Sequence, residues 1–121
     1  MSTKFVLHEH WSRTHHFDFR LEKDKVLKSW ALPKGMPTGK EKRLAIQVGD
    51  HALSYGDFEG KIPEGQYGAG KVEIADSGTY TTESWKPRKV VFSLKGKKYS
   101  GKYVLLHLEK DKWLLFKGKE E

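Results

Sequence analysis

The chain has 121 residues and a formal net charge of +7, and 36% of its residues are hydrophobic. This length suits one domain, residues 1–121, around one hydrophobic core, and the composition excludes a disordered or fibrous chain. Cysteine is absent, which excludes disulfides and thiolate metal sites. Because no signal peptide or membrane-spanning segment is visible, we expect a cytoplasmic protein that does not contact membranes. The basic charge favours polyanionic partners, with nucleic acid first.

Short apolar runs separated by turn residues predict nine strands and no long helix. In chain order the strands are Lys4–His10, Phe17–Glu22, Val26–Ala31, Arg43–Val48, Lys71–Ala75, Thr79–Thr82, Lys89–Lys95, Tyr103–Glu109 and Trp113–Lys117. A short helix or turn is expected near Trp11–His15, and an irregular segment near His51–Tyr67. Many short strands at regular spacing are typical of a β-barrel or β-sandwich.

The segment His8–Arg20 holds four of the six histidines, together with an aspartate and two arginines. In a strand over Phe17–Glu22, side chains alternate between two faces. The apolar face would carry Phe17, Phe19 and Leu21. The opposite face would carry His16, Asp18, Arg20 and Glu22. Consecutive polar side chains on a buried face are costly unless they are paired or bind a metal.

The short connection after Trp11 would bring His10 back beside His16 and Asp18. Two imidazoles and one carboxylate suit a borderline divalent metal and leave positions open for water and substrate. Arg20, on the same face, is the side chain best shaped for a phosphate. The pattern therefore favours metal-assisted chemistry on a phosphate ester.

Other interpretations of these residues stay open at this point. His8 is a candidate for orienting a metal ligand rather than binding the metal itself. His15 and His107 are expected to be ordinary hydrogen-bonded histidines. Arg20 could instead form an ion pair with Asp18 or Glu22.

Six ordered motifs resemble one protein family over nearly the whole chain. They are His10-x5-His16-x-Asp18-x-Arg20-Leu21-Glu22, Leu27–Gly35, Arg43–Ala45, Asp50–Tyr55, Phe58–Gly70 and Trp113–Lys117. Together they resemble the 3′-phosphoesterase domain of bacterial and archaeal DNA ligase D. At this length the chain is similar to a stand-alone phosphoesterase without fused ligase or polymerase domains.

The resemblance implies a compact, mainly β single-domain barrel with short flanking helical segments and an active-site groove on one side. It implies an enzyme of DNA end repair that removes a 3′-terminal ribonucleoside to leave a 3′-phosphate, and then hydrolyses that phosphate to a 3′-hydroxyl. Manganese is the implied metal, with zinc or cobalt as other candidates. The implied metal ligands are His10, His16 and Asp18. The implied catalytic residues are Arg20, His51, Tyr55, Lys34 and Arg43, with His8 and Glu22 as candidates behind them.

The implied partners are duplex or primer-template DNA with a 3′-ribonucleotide or 3′-phosphate end, an ATP-dependent DNA ligase and a Ku-like end-binding protein. Lysines crowd the second half of the chain, and either they follow the DNA backbone or they form a solvated barrel face. The chain departs from the family pattern at two positions, because Gly49 stands where a glutamate is frequent and His8 where a glutamine is common. It also has almost none of the family's upstream arm before the first strand.

Two alternatives compete with a phosphoesterase. A non-catalytic nucleic-acid-binding β-barrel would explain the charge and the exposed aromatic residues but leaves the metal-type residues unused. A cupin-like metal enzyme acting on a small molecule would explain those residues but not the basic surface.

Overall fold

The structure is a computed structural model that describes residues 3–66 and 68–119. Nine strands are present within these ranges. They are β1 (Thr3–Trp11), β2 (His15–Lys23), β3 (Val26–Leu32), β4 (Arg43–His51), β5 (Gly60–Ile62), β6 (Gly70–Lys86), β7 (Lys89–Gly96), β8 (Ser100–Glu109) and β9 (Lys112–Lys117). One 3₁₀ helix, Leu53–Asp57, lies between β4 and β5. No helix in the described ranges has the length and apolar character needed to cross a bilayer.

Eight of the strands close into an antiparallel β-barrel, as the sequence predicts. Their order around the ring is β1-β2-β3-β4-β9-β8-β7-β6, and β6 returns to pair with β1. The short strand β5 lies outside the ring and pairs with the start of β6. Because the ring has eight members, β9 lies four strands from β1 in either direction.

The core fills the inside of the barrel through alternation along each strand. Phe5 and Leu7 of β1 and Phe19 and Leu21 of β2 are at most 2% exposed and belong to one cluster. The predicted apolar face of the second strand is therefore confirmed. The residues between these positions point outwards, and they include the polar residues that the sequence places on the opposite face.

The prediction of two separate strands, Lys71–Ala75 and Thr79–Thr82, is wrong, because one strand of 17 residues covers both. The turn-type residues Ser77–Gly78 lie inside the continuous strand β6, next to an irregularity where the pairing with β1 shifts between Leu7 and His8. Gly78 lies so close to β7 that a Cβ atom would collide with the carbonyl oxygen of Lys95. Glycine here permits close backbone packing, a use that sequence alone does not separate from a turn.

The segment expected to be irregular, His51–Tyr67, contains the last residue of β4, the 3₁₀ helix and β5, and Tyr67 lies outside the described residues. The connection near Trp11–His15 is a bend over Ser12–Thr14 and not a helix. The segment after β4 folds back over the outer face of β1. Its Gly56, for example, lies against side-chain atoms of Val6 and Leu27. This covering segment, defined as Ala52–Ala69 without Tyr67, forms the second wall of the site described next.

Candidate metal centre

Three metal-type side chains converge on the outer face of the β1–β2 hairpin. His10 pairs directly with His16 across the hairpin, and Asp18 pairs with His8 one rung further along that face. One ligand atom from each of His10, His16 and Asp18 lies within 4.8 Å of the others. Asp18 and His10 are buried, with 6% and 7% exposure, and His16 is half-buried. The hairpin thus brings together the three residues that the sequence nominates as ligands.

Backbone carbonyls orient both imidazoles. Nε2 of His10 donates to the carbonyl of Gly68 at 2.8 Å, and Nδ1 of His16 donates to the carbonyl of Thr14 at 2.9 Å. Each ring therefore turns its other nitrogen towards Asp18, with both nitrogen–oxygen distances at 3.4 Å. Carbonyl acceptors behind the ring are the usual means of fixing the tautomer of a metal-binding histidine.

This donor set fits a divalent cation. Two imidazole lone pairs facing a carboxylate repel one another unless a proton or a metal lies between them. Without a metal, the hydrogen bond to Asp18 raises the pKa of His16, which thereby supplies such a proton. Burial acts to raise the pKa of Asp18, but the His16 hydrogen bond and the charge of Arg20 lower it overall. The carboxylate therefore stays ionised and available as a ligand.

Arg20 lies buried beside the three ligand residues with 3% exposure. Its Nη2 is 3.6 Å from Asp18, and its Nη1 donates to the hydroxyl of Ser29 at 2.8 Å. Burial lowers the pKa of Arg20 from its very high ordinary value, while Asp18 acts against that shift. An arginine whose pKa starts so high stays charged, so a fixed guanidinium lies next to the ligand set.

His8 supports Arg20 from behind and is fully buried. Its Nδ1 accepts a hydrogen bond from Nε of Arg20 at 3.1 Å, and its Nε2 donates to the carbonyl of Phe58 at 3.0 Å. Burial and the positive charge of Arg20 lower the pKa of His8 to about 4. His8 is therefore neutral at neutral pH, and it connects Arg20 to the covering segment.

Tyr55 and His51 complete the wall opposite the hairpin. The Tyr55 ring lies 4.6 Å from the His51 ring and 5.3 Å from the His8 ring, centroid to centroid. The guanidinium of Arg20 lies over the Tyr55 ring at 4.9 Å, a cation–π arrangement. Burial, with the charge of Arg20 second, lowers the pKa of His51. Both residues thus face the cation that the sequence assigns to the phosphate.

Nδ1 of His51 lies 3.2 Å from both Nη1 of Arg20 and the carbonyl of Gly49. The first contact needs an unprotonated Nδ1 and the second a protonated one. We assign Nδ1 as the acceptor, because a guanidinium can only donate and the lowered pKa favours the neutral ring. The ring proton is then on Nε2.

Three other predicted site residues lie apart from this cluster. Glu22 accepts from the backbone N–H of Lys4 at 2.9 Å, and no described contact links it to Arg20. Lys34 is exposed in the turn after β3. Arg43 pairs in register with the core residue Leu115, forms an ion pair with Glu41 at 3.6 Å, and has a buried Nε without a partner among the described residues. Roles for these three residues stay predictions.

The sequence reasoning missed the groups that orient the site. Ser29 accepts from Arg20, and the carbonyls of Thr14, Phe58 and Gly68 fix the three histidines. Alternation along β3 would have placed Ser29 on the face opposite the core residues Trp30 and Leu32. No sequence signal marks a backbone carbonyl, so the other groups could not have been found. His15 and His107 are hydrogen-bonded to Glu9 and to the carbonyl of Lys110, as expected.

Comparison with known proteins agrees with this geometry. The profile of the DNA ligase D 3′-phosphoesterase domain matches residues 8–107. The chain belongs to this family. It is 48% identical to the multifunctional non-homologous end joining protein LigD of Mycobacterium bovis over 97% of its own length. The corresponding proteins of Mycolicibacterium smegmatis and Pseudomonas aeruginosa are 41% and 42% identical, over 98% and 97% of the chain.

The chain spans only 15–17% of the length of these relatives. Its similarity therefore concerns their phosphoesterase portion. Family membership and the three clustered side chains together support a phosphoesterase, and hence a hydrolase, with a candidate metal site formed by His10, His16 and Asp18. The predicted family is confirmed.

Proposed function

We propose that the chain is a metal-dependent phosphoesterase that heals the 3′ ends of DNA. In this proposal it removes a 3′-terminal ribonucleoside to leave a 3′-phosphate, and it hydrolyses a 3′-phosphate to a 3′-hydroxyl. The observation that carries the proposal is the joint placement of the three ligand residues and the buried cation Arg20 on one hairpin face. A non-catalytic DNA-binding barrel would have no use for oriented imidazole lone pairs beside a fixed guanidinium.

The metal, for which we propose manganese, would supply Lewis-acid chemistry at a phosphate oxygen and activation of a water nucleophile. His10, His16 and Asp18 would hold it. Their imidazole and carboxylate atoms also accept zinc or cobalt, so the choice of manganese rests on the family resemblance.

Arg20 would bind the nonbridging oxygens of the same phosphate and stabilise the charge that develops there. It is suited to this task because three groups already hold it: His8 at Nε, Ser29 at Nη1 and the Tyr55 ring below its plane. Held in this way, the guanidinium loses little side-chain freedom when the phosphate arrives.

His51 would donate a hydrogen bond from Nε2 to a phosphate oxygen or to the leaving oxygen. The lowered pKa of His51 suits a neutral hydrogen-bond donor better than a cationic acid. The Tyr55 hydroxyl, at the same wall, would add a second donor. Burial raises the pKa of Tyr55, so this hydroxyl keeps its proton at neutral pH.

The deciding experiment uses a labelled duplex primer that ends in one 3′ ribonucleotide, incubated with manganese or with EDTA. We expect manganese-dependent shortening to a 3′-phosphate and then to a 3′-hydroxyl end. His10→Ala, His16→Ala and Asp18→Ala should each abolish it. His107→Ala is the matched control, because that histidine lies on β8 with a backbone partner, and it should retain full activity.

Tight duplex binding without cleavage at any tested metal would overturn the proposal in favour of a binding module. Cleavage retained by all three alanine variants would overturn the metal assignment alone. We further propose that the healed ends pass to an ATP-dependent ligase and that a Ku-like protein delivers them, both in the cytoplasm. The names of the relatives, which describe non-homologous end joining, support a role in that process. The ligase and the Ku-like protein come from the family resemblance alone.

A further inference from the structure

Two strands of the barrel, β8 and β9, carry apolar residues on both faces, and in β8 this run is Tyr103–Leu106. In β9 the buried residues Trp113 and Leu115 alternate with Leu114 and Phe116, which point outwards. An antiparallel strand with one solvated face normally alternates apolar and polar residues, whereas an unbroken apolar run is typical of a strand covered on both faces. The outer face of β9 thus has the composition of a covered surface.

The strand register joins these outward residues into one surface. Leu44 of β4, Leu114 of β9 and Leu106 of β8 are direct cross-strand neighbours. The next row of cross-strand neighbours on this face, Phe116, Val104 and Val91, is also apolar. We call the six residues of the two rows the apolar wall: Leu44, Leu106, Leu114, Val91, Val104 and Phe116. Val104 and Val91 are buried at the β8–β7 end of the wall, whereas Leu44 is 38% exposed at its β4 edge.

The apolar wall lies opposite the metal centre. The ligands lie on β1 and β2, and β9 is four strands from β1 around the ring in both directions. The covering segment closes over β1 and contacts His8 and His10. An occupant of this surface would therefore leave the groove at the metal centre open.

Three exposed lysines border the wall. Lys89 pairs in register with Leu106, Lys112 pairs with Ile46, and Nζ of Lys42 lies 5.2 Å from the centre of the Phe116 ring. Within the described residues, none of these three lysines forms an ion pair with a carboxylate. Lys112 lies opposite Glu109 in the β8–β9 register, so the net positive charge of the border comes from Lys42 and Lys89. Such a border around an apolar centre is complementary to an apolar surface with an acidic border.

The charge pattern decides between possible occupants. A second copy of this chain would bring the same three lysines against their counterparts, in a protein whose net charge is already +7. Nucleic acid would match the lysines but not the leucines, since its outer surface is a row of phosphates. We propose that the apolar wall is a docking surface for a partner protein that offers an acidic, leucine-type amphipathic segment. This proposal does not depend on the activity proposed above.

The test uses two synthetic amphipathic peptides of about 18 residues, with leucines at helical spacing. One carries glutamate at its polar positions and the other carries lysine. Fluorescence anisotropy with the full chain should show the glutamate peptide binding at least tenfold more tightly than the lysine peptide. Leu44→Ser should weaken binding of the glutamate peptide at least tenfold. Leu53 is similarly exposed but lies on the metal-centre side, so Leu53→Ser should leave this binding unchanged.

The triple variant Lys42→Glu/Lys89→Glu/Lys112→Glu should reverse the preference and bind the lysine peptide more tightly. If Leu44→Ser loses its thermal transition, Leu108→Ser at the wall's border replaces it. Equal binding of both peptides, or binding that Leu44→Ser leaves unchanged, would overturn the proposal. A dimer in sedimentation that Leu44→Ser removes would also overturn it, because the occupant would then be a second copy of the chain. Binding to phosphatidylglycerol vesicles that Leu44→Ser removes would overturn it as well, because the occupant would then be a lipid surface.

Discussion

Nε of Arg20 donates a hydrogen bond to Nδ1 of His8 across 3.1 Å, and both side chains are buried. A protonated His8 could not accept this bond and would place a second positive charge beside the guanidinium. The position of Arg20 thus depends on a neutral imidazole two residues before His10, a proposed metal ligand. The carbonyl of Phe58 holds the other side of that imidazole, which ties the barrel wall to the covering segment.

His8→Ala should therefore lower catalysis without removing the metal site. An unpaired buried N–H costs about 1–3 kcal/mol, and a barrier raised by that amount corresponds to roughly 5- to 150-fold in kcat. His8→Gln should keep most activity, because its amide oxygen can accept from Arg20 and its amide N–H can donate to Phe58. Steady-state kinetics and manganese titration of both variants check this. Equal losses in the two variants would show that His8 does not act through these hydrogen bonds.

The same residue should make stability depend on pH. The pKa of His8 is about 4 in the folded chain against 6.5 in the unfolded one, so only the unfolded state binds the proton between these values. Stability from His8 is complete above pH 6.5 and is lost as pH falls towards 4, by about 3 kcal/mol in all. Urea unfolding in EDTA should show the wild type losing more stability than His8→Gln over this window. If the unfolding free energies of the two proteins changed in parallel with pH, the prediction would be wrong.

Metal binding should expel a proton from His16. The hydrogen bond to Asp18 raises the pKa of His16, so much of the metal-free chain carries this proton at about pH 6. A metal needs the same lone pair, so manganese affinity should rise by up to about tenfold per pH unit below that pKa. Calorimetry in two buffers of different ionisation enthalpy measures the released protons. No release at acidic pH would exclude His16 as a ligand.

Two substitutions distinguish the role of the Tyr55 ring from that of its hydroxyl. Tyr55→Phe keeps the ring contacts with Arg20, His8 and His51 and removes only the proposed donor, so we expect kcat to fall roughly tenfold with unchanged thermal stability. Tyr55→Ala removes the wall and should lower activity further and reduce the melting temperature. Full activity of Tyr55→Phe would mean that the hydroxyl does not contact the substrate.

Asp76 should matter for stability and not for the chemistry. Its carboxylate is 4% exposed and accepts four backbone N–H bonds, from Ser77, Lys97, Lys98 and Tyr99, at 2.9–3.0 Å. Asp76→Asn replaces one acceptor oxygen with a donor that faces other donors, which should cost about 3 kcal/mol. Urea unfolding measures this loss. Asp111→Asn, an exposed aspartate, is the control and should change stability little.

The sequence determined what depends on local periodicity. Alternation along residues 17–22 predicted which side chains are in the core and which form the site, because a strand places successive residues on opposite faces whatever it packs against. The short connection after Trp11 likewise predicted that His10 meets His16, since a hairpin fixes its own register. The spacing of turns indicated a β-barrel or a β-sandwich, and the family resemblance implied the barrel.

Only the tertiary structure decided how the site is held. His8 and Phe58 are 50 residues apart in sequence, and His10 and Gly68 are 58 apart. These contacts exist because the chain after β4 folds back over β1. The residue pattern within either segment does not predict that the two segments pack together. The tautomers of His8 and His10, the neutral state of His8 and the Tyr55 contact of Arg20 all depend on it. The same holds for the apolar wall, since closure of the barrel alone sets β9 opposite β1.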